Sequence, residues 1–239
     1  MAKVMDPLVT ILVVVFRDRD ELLKIVQSVI PFLRSELEIV VVDGFSQDGT
    51  VEVLEELGDR VAYWVSEPDR GIYDAMNKGL RVSRGTYILH LNAGDRLLEV
   101  PWDDLRRCAA DRIDVVCCRV LLDSREKFVC RTSLLSKLDN TWHHQGTFYR
   151  RAAHLGYDAS YRMAADFDHN QRLLRNGCTI RDLPAIVADH EGGGISMLET
   201  GHKEIYRSVR ANFGPLYLQL SRLRFGLLDL RRWLRAKVQ

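Results

Sequence analysis

The sequence predicts an α/β fold in which helices flank a mostly parallel sheet, followed by a C-terminal amphipathic helical tail. Three observations support this prediction. Continuous apolar runs such as Leu8–Phe16 are typical of strands that are buried on both faces. Segments with helical apolar spacing, such as Asp20–Leu33, alternate with these runs. The connections are short, and strand–helix alternation with short connections indicates parallel pairing.

The predicted elements follow this alternation through the first half of the chain. Strands are predicted at Leu8–Phe16, Glu38–Asp43, Val61–Ser66 and Thr86–Leu91, and helices at Asp20–Leu33, Val51–Leu57 and Ile72–Val82. The middle is more mixed, with strands predicted at Ile113–Leu122, Lys127–Arg131 and Gly146–Tyr149 and a helix at Asp166–Arg175. Because the sequence has no internal repeat or low-complexity linker, we expect one domain over residues 1–205 and a tail over residues 206–239.

The composition excludes several classes of protein. With 239 residues, of which 46% are hydrophobic, the chain is long and apolar enough for a full core, which excludes a disordered chain. A net charge of +1 speaks against a nucleic-acid binder. The charge is unevenly distributed, however, because residues 206–239 contain eight Lys and Arg and a single Asp. The tail therefore carries +7 and the remainder of the chain −6.

Cysteine usage and hydropathy predict a cytoplasmic location. The five cysteines match no zinc-binding spacing, so buried free thiols in a reducing compartment are expected. The longest apolar run, Leu8–Phe16, is less than half of a membrane-spanning helix, and the N-terminus lacks the pattern of a signal peptide.

Polar residues follow three of the predicted strands. Asp43 follows the second strand, the segment 67–71 follows the third, and Asn92 and Asp95 follow the fourth. In such sheets the ligand lies outside the carboxyl ends of the strands, and carboxylates gathered there suit Mg²⁺ or Mn²⁺ carrying a phosphate ligand. Local roles stay open, since Asp43 or Asp95 could close a turn and Ser46, Asp48 or Thr50 could cap the next helix.

Four strings carry a family resemblance: VVDGFSQDGT (41–50), SEPDRGIYDAMNKG (66–79), LHLNAGD (89–95) and AADFD (164–168). In this order they resemble family 2 glycosyltransferases, most closely the bacterial surface-polysaccharide branch that includes colanic-acid-type enzymes. The match runs from about residue 8 to Ser196. The resemblance implies a GT-A fold with a Rossmann-like sheet and an inverting transfer of a sugar, of the hexosyltransferase class, from a nucleotide-sugar donor to a glycan or lipid-linked acceptor.

The resemblance also implies roles for individual residues and a divalent metal, Mn²⁺ or Mg²⁺, as cofactor. Asp43 would contact the nucleobase, and Asp69 and Arg70 would line the nucleotide pocket. Asn77 would stabilise the segment over the donor. Asn92 would lie toward the ribose, and Asp95 would bind the metal. Many relatives have a second acid where this chain has Gly44, and two adjacent acids where it has Gly94-Asp95. Weak, diphosphate-dependent metal binding is therefore expected.

Two other functions have to be considered for this sequence: a dehydrogenase and a non-catalytic protein of the same fold. A dehydrogenase is disfavoured, because Phe16-Arg17-Asp18-Arg19 follows the first strand where a dinucleotide-binding protein has GxGxxG. A non-catalytic protein of the same fold, acting as an assembly partner, stays open because of the missing acids at Gly44 and Gly94.

An inverting transfer needs a carboxylate to accept the proton of the acceptor hydroxyl. Asp166 falls on the base position of the family's ED-type motif, with Ala165 in place of the usual Glu, and is the predicted catalytic base. Asp168 lies two residues further on, and positions i and i+2 of a helix point in different directions. Asp168 is therefore predicted to be a first-turn acid favoured by the helix dipole.

Two further segments resemble family motifs. His144 and Gln145 lie in HHQGTFYRR (143–151), where the resemblance places the acceptor, and the His pair lacks the additional ligands of a zinc site. Gly193 and Ser196 lie in a glycine loop that either approaches a phosphate or forms a plain turn. His190, just before this loop, is a hypothetical metal ligand.

The tail contains one leucine stripe at helical spacing, formed by Leu216, Leu220, Leu223, Leu227, Leu230 and Leu234. Arginines occupy much of the remaining surface. Three partners are compatible with this pattern: an anionic membrane, which would make the protein peripheral at the inner face of the cell membrane, the body of the protein, and a second copy in a homo-oligomer.

Overall fold

The structure is a computed structural model that describes residues 6–191 and 199–236, and the side chains of all of these except 199–201 and 231–236. In this part of the chain, nine strands form a single sheet. The strands are β1 Val9–Val15, β2 Leu37–Asp43, β3 Tyr63–Ser66, β4 Tyr87–Leu91, β5 Asp95–Leu97, β6 Val115–Leu122, β7 Glu126–Phe128, β8 Thr147–Arg150 and β9 Ile180–His190. The helices are α1 Arg19–Val29, α2 Thr50–Leu57, α3 Ile72–Val82, α4 Trp102–Ala110, α5 Ala165–Arg175, α6 Glu199–Phe213 and α7 Pro215–Ala236.

The first four strands form the parallel half of the sheet, in the order β3-β2-β1-β4. Every residue of β1, β2 and β4 is buried, as the continuous apolar runs predict. The register aligns Val15 with Asp43, and Asp43 with Ser66. The residues that follow these strands therefore emerge at one edge of the sheet.

The remaining strands pair in both directions, so the second half of the sheet is mixed rather than mostly parallel. β8 lies antiparallel to β4 and β6, whereas β9 runs parallel to β6. β9 contains Pro184 and pairs with β6 through a register shift, a position at which a sheet tolerates a residue without an N–H. The short strand β5 then pairs antiparallel with the end of β9, opposing Asp95 to His190.

Two apolar layers enclose the parallel half. One layer contains Leu22, Val26 and Leu54 from α1 and α2, and the other contains Met76 from α3 and Ala165 from α5. At Gly79 a Cβ atom would lie 2.2 Å from Leu12 Cδ1, so the glycine permits α3 to pack closely on β1.

The predicted helix Asp20–Leu33 ends earlier than expected, because Pro31 begins a 3-10 turn after Val29. The strand predicted at Lys127–Arg131 is only the short β7. Four elements, β5, β9, α4 and α6, were not predicted. The expected boundary at residue 205 lies within α6, which packs on α5.

The cysteines are free thiols, as predicted, with Cys108, Cys117, Cys118 and Cys130 buried and Cys178 half-buried. Of the helices in the described residues, none is long and apolar enough to cross a membrane.

Candidate active site

Asp43 at the end of β2 is fully buried, and its carboxylate accepts three hydrogen bonds. Two come from Ser46, through its backbone N–H at 3.0 Å and its hydroxyl at 2.5 Å. The third comes from the hydroxyl of Ser66 at the end of β3, at 2.5 Å. Asp43 therefore ties together the loops after two strands, which is the turn-closing role that the sequence left open.

A cavity of about 470 Å³ opens beside this loop at the edge of the parallel half. Its lining residues are Phe16, Arg17, Gly44, Phe45, Gln47, Pro68, Asp69 and Gly71. Of the predicted donor-binding residues, Asp69 lines this cavity. Arg70 instead lines a separate cavity together with Asn77, and its guanidinium lies 3.6 Å from Asp74.

Gly44 stands where many relatives have an acid, and the structure gives a steric reason for the glycine. A Cβ atom at Gly44 would lie 2.6 Å from Asp69 Oδ2 and 3.0 Å from the ring of Phe16. The carboxylate of Asp69, which also accepts a hydrogen bond from the backbone N–H of Gly71 at 2.8 Å, thus fills the space that a side chain at position 44 would need.

Phe45 and Phe16 are two aromatic residues of the cavity that the motif comparison missed. Phe45 has a left-handed backbone with φ of 67°, a conformation that is unfavourable for a bulky side chain, and its ring is 51% exposed. Phe16 is 57% exposed. The sequence signal for Phe45 lies in the string 42–46. Many family 2 glycosyltransferases have VDDGS there, which puts Gly at the position of Phe45.

Asn77 connects α3 to the segment before α5. Its amide donates a hydrogen bond to the carbonyl of Tyr157 and accepts one from the Tyr157 N–H, both at 2.8 Å. The residue therefore holds a loop in place through a two-way contact with the backbone of Tyr157; its expected role toward the donor stays a prediction.

Asp95 lies fully buried at the start of β5, and both carboxylate oxygens have partners. Oδ1 lies 2.6 Å from His190 Nδ1. Oδ2 accepts hydrogen bonds from the Asn92 N–H at 2.6 Å and from Gln145 Nε2 at 2.9 Å. Hydrogen bonding to the Asp95 carboxylate raises the pKa of His190, even though burial acts in the opposite direction.

The pair of Asp95 and His190 fits a divalent transition metal. Carboxylate oxygen suits Mn²⁺ or Mg²⁺, and imidazole nitrogen suits transition metals. The buried amide oxygens of Gln145 and Asn92 have no hydrogen-bond partner among the described residues and lie beside this pair. The one group of three metal-ligating side chains in the described part of the chain, Cys117, Cys130 and Asp182, lies elsewhere.

Asp166 in the first turn of α5 is 9% exposed and sits among polar groups from three other segments. The Tyr73 hydroxyl lies 3.2 Å from Oδ1 and 2.9 Å from the Met163 carbonyl, which share its single proton, and Asn140 Nδ2 donates to Oδ2 at 3.2 Å. His144 Nδ1 lies 3.5 Å from Oδ2. Burial alone would raise the pKa of Asp166, but hydrogen bonding to His144 and the other donors outweighs it and lowers that pKa. The carboxylate is therefore ionised at neutral pH.

His144 and Gln145, which were expected near the acceptor, connect the two carboxylates of the site. His144 contacts Asn92 Nδ2 through Nε2 at 3.0 Å and faces Asp166 through Nδ1. The ring of His144 therefore lies between Asn92 and Asp166. Since Gln145 contacts Asp95, this short turn spans the site from the end of β4 to α5.

Asp168 points away from Asp166, toward α6. It accepts hydrogen bonds from Arg172 Nε at 2.8 Å, from the Ser208 hydroxyl at 2.8 Å and from Asn212 Nδ2 at 3.2 Å. The different directions agree with the helical spacing, but Asp168 joins two helices rather than acting only on the helix dipole.

The segment that leads into α5 is held by a residue distant in sequence. Glu204 in α6 accepts hydrogen bonds from the backbone N–H groups of Arg162, Met163 and Ala164 at 2.9–3.0 Å. Ala164 is the N-cap of α5 and the other two residues precede it, so Glu204 fixes the approach to the turn that carries Asp166. The remaining predicted residues, Gly193 and Ser196, lie outside the described residues.

The chain is similar to known glycosyltransferases along most of its length. The family described as Glycosyl transferase family 2 matches residues 10–167. The chain is 32% identical over 214 residues to a PGL/p-HBAD biosynthesis glycosyltransferase of Mycobacterium bovis, covering 83% of this chain and 80% of that protein, and equally to one of Mycobacterium tuberculosis.

Solved structures share the fold at lower identity. S. aureus TarS 1-349 in complex with UDP-GlcNAc has a TM-score of 0.69 at 16% identity, over 85% of this chain and 64% of that chain. A mannosyltransferase of Pyrobaculum calidifontis in complex with GDP-Man and Mn²⁺ has a TM-score of 0.63 at 16% identity, over 91% and 68%. The chain spans less than two thirds of the TarS chains that it matches. Its sheet is the mixed, helix-flanked sheet of the GT-A type, and on the evidence of the family match and the mycobacterial relatives the chain belongs to glycosyl transferase family 2.

Proposed function

We propose that this glycosyltransferase moves a hexose, with inversion, from a nucleotide-sugar donor to the hydroxyl of a lipid-linked glycan acceptor in surface polysaccharide synthesis. The observation that carries the proposal is the arrangement around Asp166: an ionised, nearly buried carboxylate connected through His144 to the residues at the end of β4. In this proposal Asp166 is the base, the cavity lined by Asp69 takes the donor, and Asp95 and His190 hold the metal.

Asp166 is the proposed base. Its Oδ2 oxygen accepts the proton of the acceptor hydroxyl as that oxygen attacks the anomeric carbon of the donor. The lowered pKa keeps the carboxylate available at neutral pH, while His144, Asn140 and Tyr73 fix its orientation. His144 acts as a positioning residue, because it touches the base and not the reacting atoms.

The donor nucleotide is proposed to occupy the cavity that Asp69 lines. The exposed rings of Phe16 and Phe45 offer surfaces on which a nucleobase can stack, and the carboxylate of Asp69 offers an acceptor for its N–H groups or for ribose hydroxyls. Asp43 holds the loop through Ser46 and Ser66, and its contact with the nucleobase stays a prediction. Arg70 and Asn77 would act from the neighbouring surface.

Asp95 and His190 are proposed to hold the divalent metal, with Asn92 toward the ribose. When bound, Mn²⁺ or Mg²⁺ neutralises the charge of the departing nucleoside diphosphate. With one protein carboxylate available, affinity would depend on the diphosphate. The glycine loop of Gly193 and Ser196 stays a prediction for phosphate contact.

The relatives support these details by analogy. The mycobacterial proteins take their name from PGL/p-HBAD biosynthesis, and the two structural neighbours bind UDP-GlcNAc, GDP-Man and Mn²⁺. The colanic-acid-type branch, the division into a domain over 1–205 and a tail over 206–239, a peripheral position at the inner face of the cell membrane and a homo-oligomer stay proposals.

A donor-hydrolysis screen over UDP-, GDP- and dTDP-sugars with Mn²⁺ tests the proposal. We expect hydrolysis of at least one donor, with loss of metal-dependent nucleotide binding in Asp95→Ala. Asp103→Asn, an exposed acid on α4, is the matched control and should retain activity.

Calorimetry distinguishes the assembly-partner alternative. If no nucleoside diphosphate binds in the presence of Mn²⁺, the non-catalytic function is favoured and the proposed site is wrong.

A further inference from the structure

Helix α7 has two unlike faces. One face is packed on the body: Leu218, Ser221 and Phe225 are at most 8% exposed. The opposite face consists of leucines that face solvent, with exposures of 69% for Leu216, 38% for Leu220, 62% for Leu223, 51% for Leu227 and 51% for Leu230. We call these five residues the leucine face. It is the stripe seen in the sequence, turned away from the protein.

Specific contacts hold α7 in this orientation. The Ser221 hydroxyl donates to the Leu138 carbonyl at 2.7 Å, and the guanidinium of Arg224 donates to Asp139 Oδ2 at 2.7 and 3.0 Å. The ring of Phe225 lies 4.5 Å from that of His202 in α6. Turning the leucines inward would break all of these contacts, so the body of the protein is not the partner of the leucine face.

The charge of α7 separates the two remaining partners. Residues 215–236 contain five arginines and one acid, Asp229. A second copy of the helix would bring more arginines to the interface and almost no carboxylates to pair with them. An anionic lipid surface supplies the opposite charge for the arginines other than Arg224, which is paired with Asp139, and an apolar layer for the leucines.

We propose that the leucine face of α7 docks on an anionic membrane surface, with the helix lying in the plane of the interface. The proposal rests on the proposed function only in that a lipid-linked acceptor would then be near the site; binding to lipid is independent of catalysis. The protein would be attached peripherally and reversibly, and its attachment would weaken as salt screens the arginines.

Vesicle co-flotation of the full chain tests the proposal. We expect binding to vesicles with about one third phosphatidylglycerol in phosphatidylcholine to exceed binding to pure phosphatidylcholine about tenfold. The variant Leu223→Ser/Leu227→Ser should lose about tenfold of the binding, because it removes apolar surface without changing charge. Lys127→Glu on β7, an exposed site away from the cavity and the tail, should bind like the parent.

The outcomes separate this inference from the proposed function. Equal binding of the parent to both vesicle types, or full binding by the serine variant, overturns the docking surface. A dimer in light scattering that the serine variant abolishes overturns it in favour of a second copy. Donor hydrolysis is measured on the same samples without lipid and should be unchanged; if the parent lacks it but binds vesicles, the proposed function fails while the docking surface stands.

Discussion

The two halves of the sheet build their parts of the candidate site in different ways. In the parallel half, the residues at the donor cavity follow their own strands by a few positions, and their contacts are to adjacent loops, as with Asp43 and Ser66. In the mixed half, Asp166, His144 and His190 come from three separate elements and meet only through tertiary packing. The site residues of the parallel half are thus positioned by local loops and those of the mixed half by tertiary contacts, so we expect single substitutions to perturb the mixed half more.

Asp166→Asn should cause the largest loss of activity. Without a base at this position we expect the catalytic rate to fall by about 10²–10⁴-fold, while donor affinity stays within about twofold because the donor cavity lies in the other half. Rate measurements under donor saturation and nucleotide calorimetry check both parts. An active, folded variant would show that another group takes the proton.

A ring cluster that joins the two halves, formed by His90 of β4, His154 and His169, should make the protein sensitive to acid. Burial lowers the pKa of His154 to about 3, and it holds the pKa values of His90 and His169 well below the ordinary value. The unfolded chain therefore binds more protons below about pH 6.5, and the free energy of unfolding falls as pH drops, by about 1.4 kcal/mol per pH unit for each histidine.

Urea unfolding between pH 7.5 and pH 5 measures this slope. Two backbone contacts support the neutral rings: His154 Nδ1 accepts the Gly156 N–H at 3.0 Å, and His169 Nε2 accepts the Leu155 N–H at 3.4 Å. His154→Gln should reduce the dependence of the free energy of unfolding on pH by the contribution of one histidine, about 1.4 kcal/mol per pH unit. A slope that is independent of pH would contradict the neutral, buried state of the three rings.

His144→Ala should have an intermediate effect. We expect a loss of about 10–100-fold in the catalytic rate with little change in KM for the donor, as for other groups that orient a catalytic residue. The acidic limb of the pH–rate profile should move to higher pH, because the pKa of Asp166 rises when His144 is removed. The nearby titratable groups His143 and Tyr73 remain in this variant. If the acidic limb of the pH–rate profile does not move, His144 only packs against Asp166 and does not set its pKa.

Phe45→Gly should have the smallest effect and should separate binding from stability. Glycine adopts the left-handed backbone without strain, so the free energy of unfolding should stay equal or rise by up to about 1 kcal/mol. The loss of the ring should weaken nucleoside diphosphate binding by about tenfold. Thermal unfolding and calorimetry test the two parts. If the free energy of unfolding and the affinity for nucleoside diphosphate both fall, the ring of Phe45 stabilises the loop rather than the ligand.

This contrast also explains what the sequence could reveal. The carboxylates after β2, β3 and β4 were visible because each follows a predicted strand, and Asp166 because it lies within a recognisable motif. The position of His144 between Asn92 and Asp166 was not visible, because it depends on how a loop of the mixed half folds over the sheet. The glycine at position 44 became intelligible only when the carboxylate of Asp69 was seen to occupy its space.

The tail shows the same limit. Spacing alone revealed the leucine stripe, but its direction depends on Ser221 and Arg224, which bond to Leu138 and Asp139. β9 was missed because its inward and outward residues do not alternate cleanly and Pro184 interrupts it. The mixed half therefore resisted prediction for a physical reason: its elements are stabilised by partners distant in sequence.

The packed face of α7 has a practical consequence for anyone who shortens this protein. Leu138 and Asp139, which α7 holds, immediately precede Asn140, the residue that donates a hydrogen bond to Asp166. Removing the helix would therefore release the loop beside Asp166, the proposed base, and we expect it to lower activity for a reason unrelated to lipid. Exchange of the outward leucines for serine leaves that loop anchored, so a soluble variant is better obtained by substitution than by truncation.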